Sequence, residues 1–290
     1  MSAWYPYAWV DGRLLPIARA TVPITDSGYL HGDGLFETIR IYDGVAVFLA
    51  DHLARMRRSA RELGVAAEAN LAPVPAGVRA LLLRCRPRSA AMRISLSWEG
   101  GFISRPDAAC RVTILLREYV PPDARVLARG VALVVWPWHR AAGNPAHRHK
   151  TLSYAENMAA RRLAAKARAF DALFVNDRGH VAEGTATNVF LVERGRLLTP
   201  NLEEGLLPGI TRKHIIAIAR QIGVTVRERP FGVERMLAAD EAFVANSLSE
   251  VVAVSSVDGC RAGGGRPGPV TRALADAYRA EVQRAVEEAR

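Results

Sequence analysis

Residues 147–154 read His147-Arg148-His149-Lys150-Thr151-Leu152-Ser153-Tyr154. Lys150 closes a polar loop that begins at Trp138. The apolar spacing behind it predicts a helix over 153–169, with Ser153 at the N-cap and Glu156 at capping-box spacing. The position matters because lysine is scarce: the only lysines are Lys150, Lys166 and Lys213, although lysine and arginine together number 39. Arginine stays protonated at neutral pH and forms no covalent bond to a carbonyl carbon. Any chemistry that needs an amine nucleophile or an amine base must use one of these three residues. The flanking His147, Arg148 and His149 supply cationic neighbours, which favour the neutral amine. Two histidines with no carboxylate in the segment make a poor metal site.

Outward from this stretch, the second half of the chain alternates helix and strand. Strands are predicted over 131–136, 172–176, 187–193, 196–199, 241–245 and 251–257. Helices are predicted over 210–222 and after the Gly- and Pro-rich loop 262–269. The first third reads as hairpins followed by helices. Strand Ala8-Trp9-Val10 enters an Asp11-Gly12 turn, and the strand over 35–42 enters Asp43-Gly44. Residues 21–34 read as a turn-rich loop. Leu53, Met56, Ala60 and Leu63 give a helix over 50–63 that stops at Gly64, and a second helix is expected over 75–84. Two strands follow, over 91–98 and 111–116. Pro121 and Pro122 mark 119–125 as a linker, separating an N-terminal domain over 1–118 from a C-terminal domain over 126–290. This mixture is an α+β pattern rather than a doubly wound parallel sheet.

The 290 residues suffice for two ordinary domains. No run of about 18 apolar residues exists to span a membrane, and no secretory leader pattern opens the chain. Cys85, Cys110 and Cys260 are dispersed and odd in number, which suggests a reduced, cytoplasmic protein. The net charge of +10 raises nucleic acid as a partner. The charge is scattered, however, and Arg57, Arg58 and Arg61 read as the solvated face of a helix.

Three other segments carry chemistry. Glu183 lies in His180-Val-Ala-Glu-Gly-Thr-Ala-Thr-Asn188, where Gly184 would let backbone approach a flat ring closely. Leu207-Pro-Gly-Ile-Thr211 precedes a helix, and helix N-termini bind anions through free N–H groups. The turn Asn246-Ser-Leu-Ser249 offers further donors, and Arg55 suits a paired contact with the same anion.

Taken in order, these segments resemble the class IV aminotransferases, the fold type IV enzymes of pyridoxal 5′-phosphate. That family includes branched-chain and D-amino-acid aminotransferases, (R)-amine transaminases and aminodeoxychorismate lyase. The matching motifs are Asp26-Ser-Gly-Tyr-Leu-His-Gly-Asp-Gly-Leu-Phe-Glu-Thr-Ile-Arg40, His52-Leu-Ala-Arg55, Lys150-Thr-Leu-Ser-Tyr154, Glu183-Gly-Thr-Ala-Thr-Asn188, Leu207-Pro-Gly-Ile-Thr-Arg212 and Asn246-Ser-Leu-Ser-Glu250.

The resemblance implies a two-domain α+β fold with a smaller N-terminal α/β domain and a larger C-terminal domain, assembled as a homodimer. It implies pyridoxal 5′-phosphate as cofactor and Lys150 as the catalytic, Schiff-base lysine. Tyr154 would meet the cofactor's phenolic oxygen, Glu183 its pyridine nitrogen, and Leu207 its ring. Arg55, Ile210, Thr211 and Ser247 would hold the phosphate, Ile210 through its backbone. Glu37 and Arg93 match positions near the substrate pocket. His31 stands where branched-chain enzymes place a tyrosine, and Ser247-Leu248 replaces their Thr-Ala, with Leu248 on the substrate side. The stretch Ser97-Trp-Glu-Gly-Gly101 lacks the Arg-Gly pattern associated with lyase-like members. The Arg-x-His pair of D-amino-acid enzymes is missing, with Arg105 as a stand-in.

The expected activity is amino transfer between an amino acid or amine and a 2-oxo acid. The first alternative is aminodeoxychorismate lyase, which eliminates pyruvate on the same scaffold. The second, a basic nucleic-acid-binding protein, lacks any helix-turn-helix, zinc or aromatic-basic motif, and neither nucleic acid nor membrane is expected as a partner.

Overall fold

The computed structural model describes residues 3–98 and 109–289. Arg105 and residues 99–101 of the Ser97–Gly101 stretch therefore lie outside the described residues. The chain divides into two compact units. One takes Met1–Val120, His149–Tyr154 and Gln283–Arg290, and the other takes Pro121–Arg148 and Ala155–Val282. The second unit is thus not the continuous stretch 126–290 that chain order suggested, because His149–Tyr154 and Gln283–Arg290 belong to the first and the second begins at Pro121.

Among the described residues, the first unit has a six-stranded antiparallel sheet of β1 (Trp4–Val10), β2 (Arg13–Pro16), β3 (Gly34–Tyr42), β4 (Val45–Ala46), β5 (Ser89–Trp98) and β6 (Cys110–Glu118), in the order β2-β1-β6-β5-β3-β4. Its two-residue turns place Asp11 and Gly12 at φ 45° and 87°, and Asp43 and Gly44 at 46° and 82°. Positive φ at both central positions matches the right-handed twist of the flanking strands, which is why Asp-Gly occupies both turns.

The helices of this unit are α1 (Ser27–His31), α2 (Leu49–Glu62), α3 (Glu68–Leu71) and α4 (Val74–Cys85). Leu53, Met56 and Ala60 of α2 and Val74, Val78 and Leu81 of α4 pack with Met92, Ile94, Leu96, Val112, Ile114 and Leu116 of the sheet. Fully burying one such leucine contributes about 1.5–3 kcal/mol. The loop expected over 21–34 holds α1, whose first turn is capped by the Asp26 carboxylate accepting from Tyr29 N–H at 3.3 Å.

The segment carrying Lys150 is stitched to β3. Phe36 N–H donates to Lys150 C=O and Leu152 N–H donates to Gly34 C=O, each at 2.8 Å, around an antiparallel bridge between Leu35 and Thr151. Gly34 makes this approach feasible: a Cβ there would lie 2.5 Å from Leu96 O and 2.6 Å from Leu152 Cδ1. The expected N-cap role of Ser153 is not adopted. Its hydroxyl donates to Gly32 C=O at 3.2 Å, and the helix begins at Ala155.

The second unit holds, among the described residues, β7 (Val131–Val135), β8 (Asp171–Val175), β9 (Val181–Gly184), β10 (Asn188–Glu193), β11 (Arg196–Thr199), β12 (Val226–Glu228), β13 (Glu241–Asn246), β14 (Glu250–Val257) and β15 (Cys260–Arg261). The order is β12-β11-β10-β13-β14-β7-β8-β9, with β15 against β14. Pairs β11–β12, β14–β7 and β7–β8 are parallel and the others antiparallel. The helices are α5 (Ala124–Arg129), which starts inside the expected linker, α6 (Ala155–Lys166), α7 (Ile210–Gln221), α8 (Val233–Ala238) and α9 (Pro269–Glu288), whose residues from Gln283 onward are counted with the first unit. Leu133, Leu173, Val189, Leu191, Val244, Val252 and Val254 form the apolar centre. β9, β12 and α8 were not anticipated, because so few residues each show no readable periodicity.

Gly34→Ala is expected to cost about 1–3 kcal/mol through overpacking, seen as a lower urea midpoint at unchanged slope. A parental midpoint would show that the approach of Thr151 to β3 has slack.

Candidate active site

In the first unit, Lys150 and Tyr154 converge on Phe36. Lys150 Nζ lies 4.3 Å from the centre of the Phe36 ring and 5.8 Å from that of Tyr154. The Phe36 and Tyr154 rings meet edge to face at 5.3 Å. The Arg93 guanidinium lies 3.8 Å from the centre of the same Phe36 ring and donates to Ser95 Oγ at 3.0 Å. Burial pushes Arg93 below its usual value. Neighbouring strands explain the grouping, since Phe36 sits on β3 and Arg93 on the adjacent β5. His149 is anchored to α2, its Nδ1 3.0 Å from Ser59 Oγ. His31 is exposed at the end of α1.

Arg55, on the buried face of α2, holds Glu37 of β3 with a two-pronged contact, Nε to Oε1 at 2.8 Å and Nη2 to Oε2 at 2.6 Å. His52 Nδ1 reaches Glu37 Oε2 at 2.7 Å. Burial alone would raise the Glu37 carboxyl, but the Arg55 charge and the hydrogen bonds from His52 and Arg55 outweigh it and hold Glu37 at about 2. Burial lowers His52, against the pull of Glu37. Arg58 and Arg61 are exposed on the opposite face, as their spacing predicts, whereas Arg57 is half-buried with its Nε 2.9 Å from Glu68.

In the second unit, Glu183 and Leu207 are brought together: Leu207 N–H donates to Glu183 Oε2 at 3.0 Å. Asn188 Nδ2 donates to Leu207 C=O at 3.0 Å and fixes the turn before α7. Gly209 is the N-cap of α7 and provides no side-chain acceptor for the first N–H groups, while Ile210 and Thr211 are buried. Thr211 Oγ1 and Tyr278 Oη are 3.3 Å apart, and burial pushes the Tyr278 hydroxyl up.

Two expectations fail in detail. The space beside Gly184 is taken by Thr187 Oγ1 and the Asp171 carboxylate, so that glycine serves internal packing. In the turn carrying Ser247 and Leu248, the N–H groups of Leu248 and Ser249 are taken by Asn246 Oδ1 at 2.9 and 2.7 Å.

Arg140 is the principal residue that sequence reasoning passed over. It is buried, its guanidinium 3.2 Å from the centre of the Phe174 ring. Its Nη1 donates to Glu183 at 3.5 Å, Nε to Glu156 at 2.8 Å and Nη2 to Asn157 at 2.9 Å. Asn157 Nδ2 in turn donates to Thr185 C=O at 2.8 Å. Glu156 thus serves Arg140 rather than a capping box. Asp171, fully buried, accepts from Thr185 N–H at 3.2 Å and Thr187 Oγ1 at 2.9 Å and clamps the chain after Glu183. His147 was expected to be a cation near Lys150, but burial and then Arg140 push it toward neutrality.

The model of the family described as amino-transferase class IV matches residues 34–257, and the chain belongs to that family. It is 29% identical over 268 residues to the D-alanine aminotransferase of Bacillus licheniformis, covering 90% of this chain and 92% of the relative. It is 28% identical over 285 residues to the aminodeoxychorismate lyase of Bacillus subtilis, covering 97% and 96%. The crystal structure of the branched-chain amino acid aminotransferase of Escherichia coli superposes with a TM-score of 0.89 at 26% identity, covering 95% of this chain and 94% of that one. The activity defined by this membership is that of a class IV aminotransferase.

The Glu37 carboxyl, ordinarily at 4.5, titrates at about 2 in the fold. Its ionised form therefore stabilises the fold fully above about pH 4.5, and that contribution disappears as the pH falls toward 2. His52, lowered from 6.5, adds a loss of the same sign as acid is added below that value. Glu37→Gln should cost about 3–5 kcal/mol at neutral pH by stranding Arg55, and should flatten the acid arm of a urea-midpoint-versus-pH curve. An unchanged acid arm would show that Glu37 is not the group responsible.

Proposed function

We propose that Lys150 holds pyridoxal 5′-phosphate through Nζ and moves the α-proton of an amino donor. The observation that carries this reading is the fixed backbone of Lys150 on β3, with its amine set against the Phe36 and Tyr154 rings. Pyridoxal 5′-phosphate is the cofactor of the class, and the donor set suits it. The chain offers an amine on rigid backbone, a carboxylate fixed by a backbone N–H, and a helix N-terminus without a side-chain cap. These match an aldehyde, a pyridine nitrogen and a phosphate. When bound, the cofactor supplies an electron sink for the negative charge that develops at the substrate α-carbon.

The protein's own residues supply the rest. Lys150 Nζ takes the α-proton and returns it; a positioned base of this kind typically supplies about 10²–10⁴-fold. Tyr154 orients the phenolic oxygen of the cofactor. Glu183 offers its carboxylate to the pyridine nitrogen, and Arg140 with the Leu207 N–H keeps that carboxylate from swinging. Leu207 supplies an apolar surface for the ring. Ile210 N–H, the Thr211 and Ser247 hydroxyls and Arg55 hold the phosphate.

Arg93 takes the carboxylate of an α-amino acid donor, and His31 and Leu248 shape the remainder of the substrate site. Glu37, engaged by Arg55 and His52, acts on the site through Arg55. A 2-oxo acid is the acceptor. The working form is a homodimer, and Cys85, Cys110 and Cys260, which form no disulfide among the described residues, support a reducing, cytoplasmic setting.

Lys150→Ala is expected to abolish the visible absorbance of bound cofactor and to lower turnover by at least about 10²-fold. Retained absorbance and turnover would reject the assignment. Mixing the yellow enzyme with L- and D-amino acids and recording which bleach it identifies the donor. Pyruvate release from aminodeoxychorismate without any 2-oxo acid would instead establish the lyase activity.

A further inference from the structure

The edge of the second unit's sheet gathers cations that the aminotransferase reaction does not use. In the register, Glu193 of β10 lies opposite Arg196 of β11, and Leu198 lies opposite Arg227 of β12. The pairing continues past β12, with Arg229 N–H donating to Thr199 C=O at 3.0 Å. Opposed residues, and alternate residues along a strand, share a face. Glu193, Arg196, Leu198, Arg227 and Arg229 therefore line one side of the sheet edge. Arg194 from the β10–β11 turn and Arg235 and Ala238 of α8 complete a groove of about 730 Å³.

The carboxylates in this groove are already committed. Glu193 is held by Arg235 through two bonds of 2.6 and 2.7 Å. Glu228 pairs with Arg212 at 2.8 Å and Arg220 at 3.5 Å. Asp240 accepts from the Arg194 backbone N–H at 2.6 Å. Among the described residues, the side chains of Arg194, Arg196, Arg227 and Arg229 form no direct ion pair, although, after the hydrogen bond from Arg235, the charges of Arg229 and Arg194 help to lower the Glu193 carboxyl. Four guanidinium groups thus share one groove with no carboxylate bonded to them. Protection of an exposed sheet edge would account for charge on β12, but Arg194 and Arg196 lie one strand further in.

We propose that this groove binds a nucleotide-sized polyphosphate, a nucleoside di- or triphosphate. The guanidinium forks match phosphate oxygens in pairs. One phosphate group satisfies one or two arginines, so four call for a chain of phosphates. The exposed Ala238 offers a small apolar surface beside the arginines, and the volume falls within the roughly 300–1,000 Å³ of small-molecule sites.

Titration calorimetry of the cofactor-loaded enzyme with ATP and with inorganic triphosphate tests the proposal. One saturable site per chain is expected, with affinity falling as salt is added. Arg196→Gln, Arg227→Gln and Arg229→Gln should each weaken binding about tenfold, and the triple variant should keep its melting temperature and its turnover of amino acid. Absence of saturable binding, or equal binding by the triple variant, would overturn the proposal. So would loss of cofactor absorbance during titration, which would place the triphosphate in the cofactor's own site. Affinity that climbs with the length of an oligonucleotide would assign the arginines to nucleic acid, and the proposal would fail.

Discussion

Two backbone hydrogen bonds fix the place of Lys150 in the first unit. The segment 150–152 adds to the edge of β3 through Lys150 C=O and Leu152 N–H. A ladder contact of this kind leaves the backbone almost no freedom, so the amine can vary only through its own side-chain rotations. Phe36 and Tyr154 limit those rotations further. The ladder depends on the closeness of Gly34 to Leu96 and Leu152, and so a residue without a side chain determines where the backbone of Lys150 stands. Precise placement of this sort is what the proposed reaction would require of its amine.

Arginine does the electrostatic work around both groups of residues. Glu37 and Glu183 are buried carboxylates, and each is met by a buried arginine with further hydrogen bonds. A buried charge left alone would cost several kcal/mol. The planar guanidinium can satisfy several acceptors at once, as Arg140 does with Glu183, Glu156 and Asn157 while stacking on Phe174. Lysine, a point charge on a flexible stem, could not reproduce that arrangement.

Local features were legible in the sequence, and long-range ones were not. The Asp-Gly hairpins, the amphipathic α2 ending before Gly64, and α7 after Leu207-Pro-Gly all follow from neighbouring residues. The motif order brought Glu183 and Leu207 to notice, and the structure places them in contact. The return of 149–154 to the first unit had no local signature, because its hydrogen-bond partners lie on β3, far away in sequence. Arg140 was hidden for a similar reason. Its partners come from β8, β9 and α6, and nothing in Trp138-His139-Arg140-Ala141 separates it from the many other arginines. Ser153 and Glu156 formed a convincing local pattern, yet Gly32 and Arg140 offered their side chains better partners.

The near-absence of lysine has a chemical consequence for the free aldehyde form of the cofactor. Aldehydes condense indiscriminately with unhindered amines. Outside the loop at 150, this chain presents only Lys166 and Lys213, both exposed, as side-chain competitors. Misdirected adducts at side chains are thereby confined to two positions, and selectivity for the amine proposed to hold the cofactor would arise from scarcity as well as from shape.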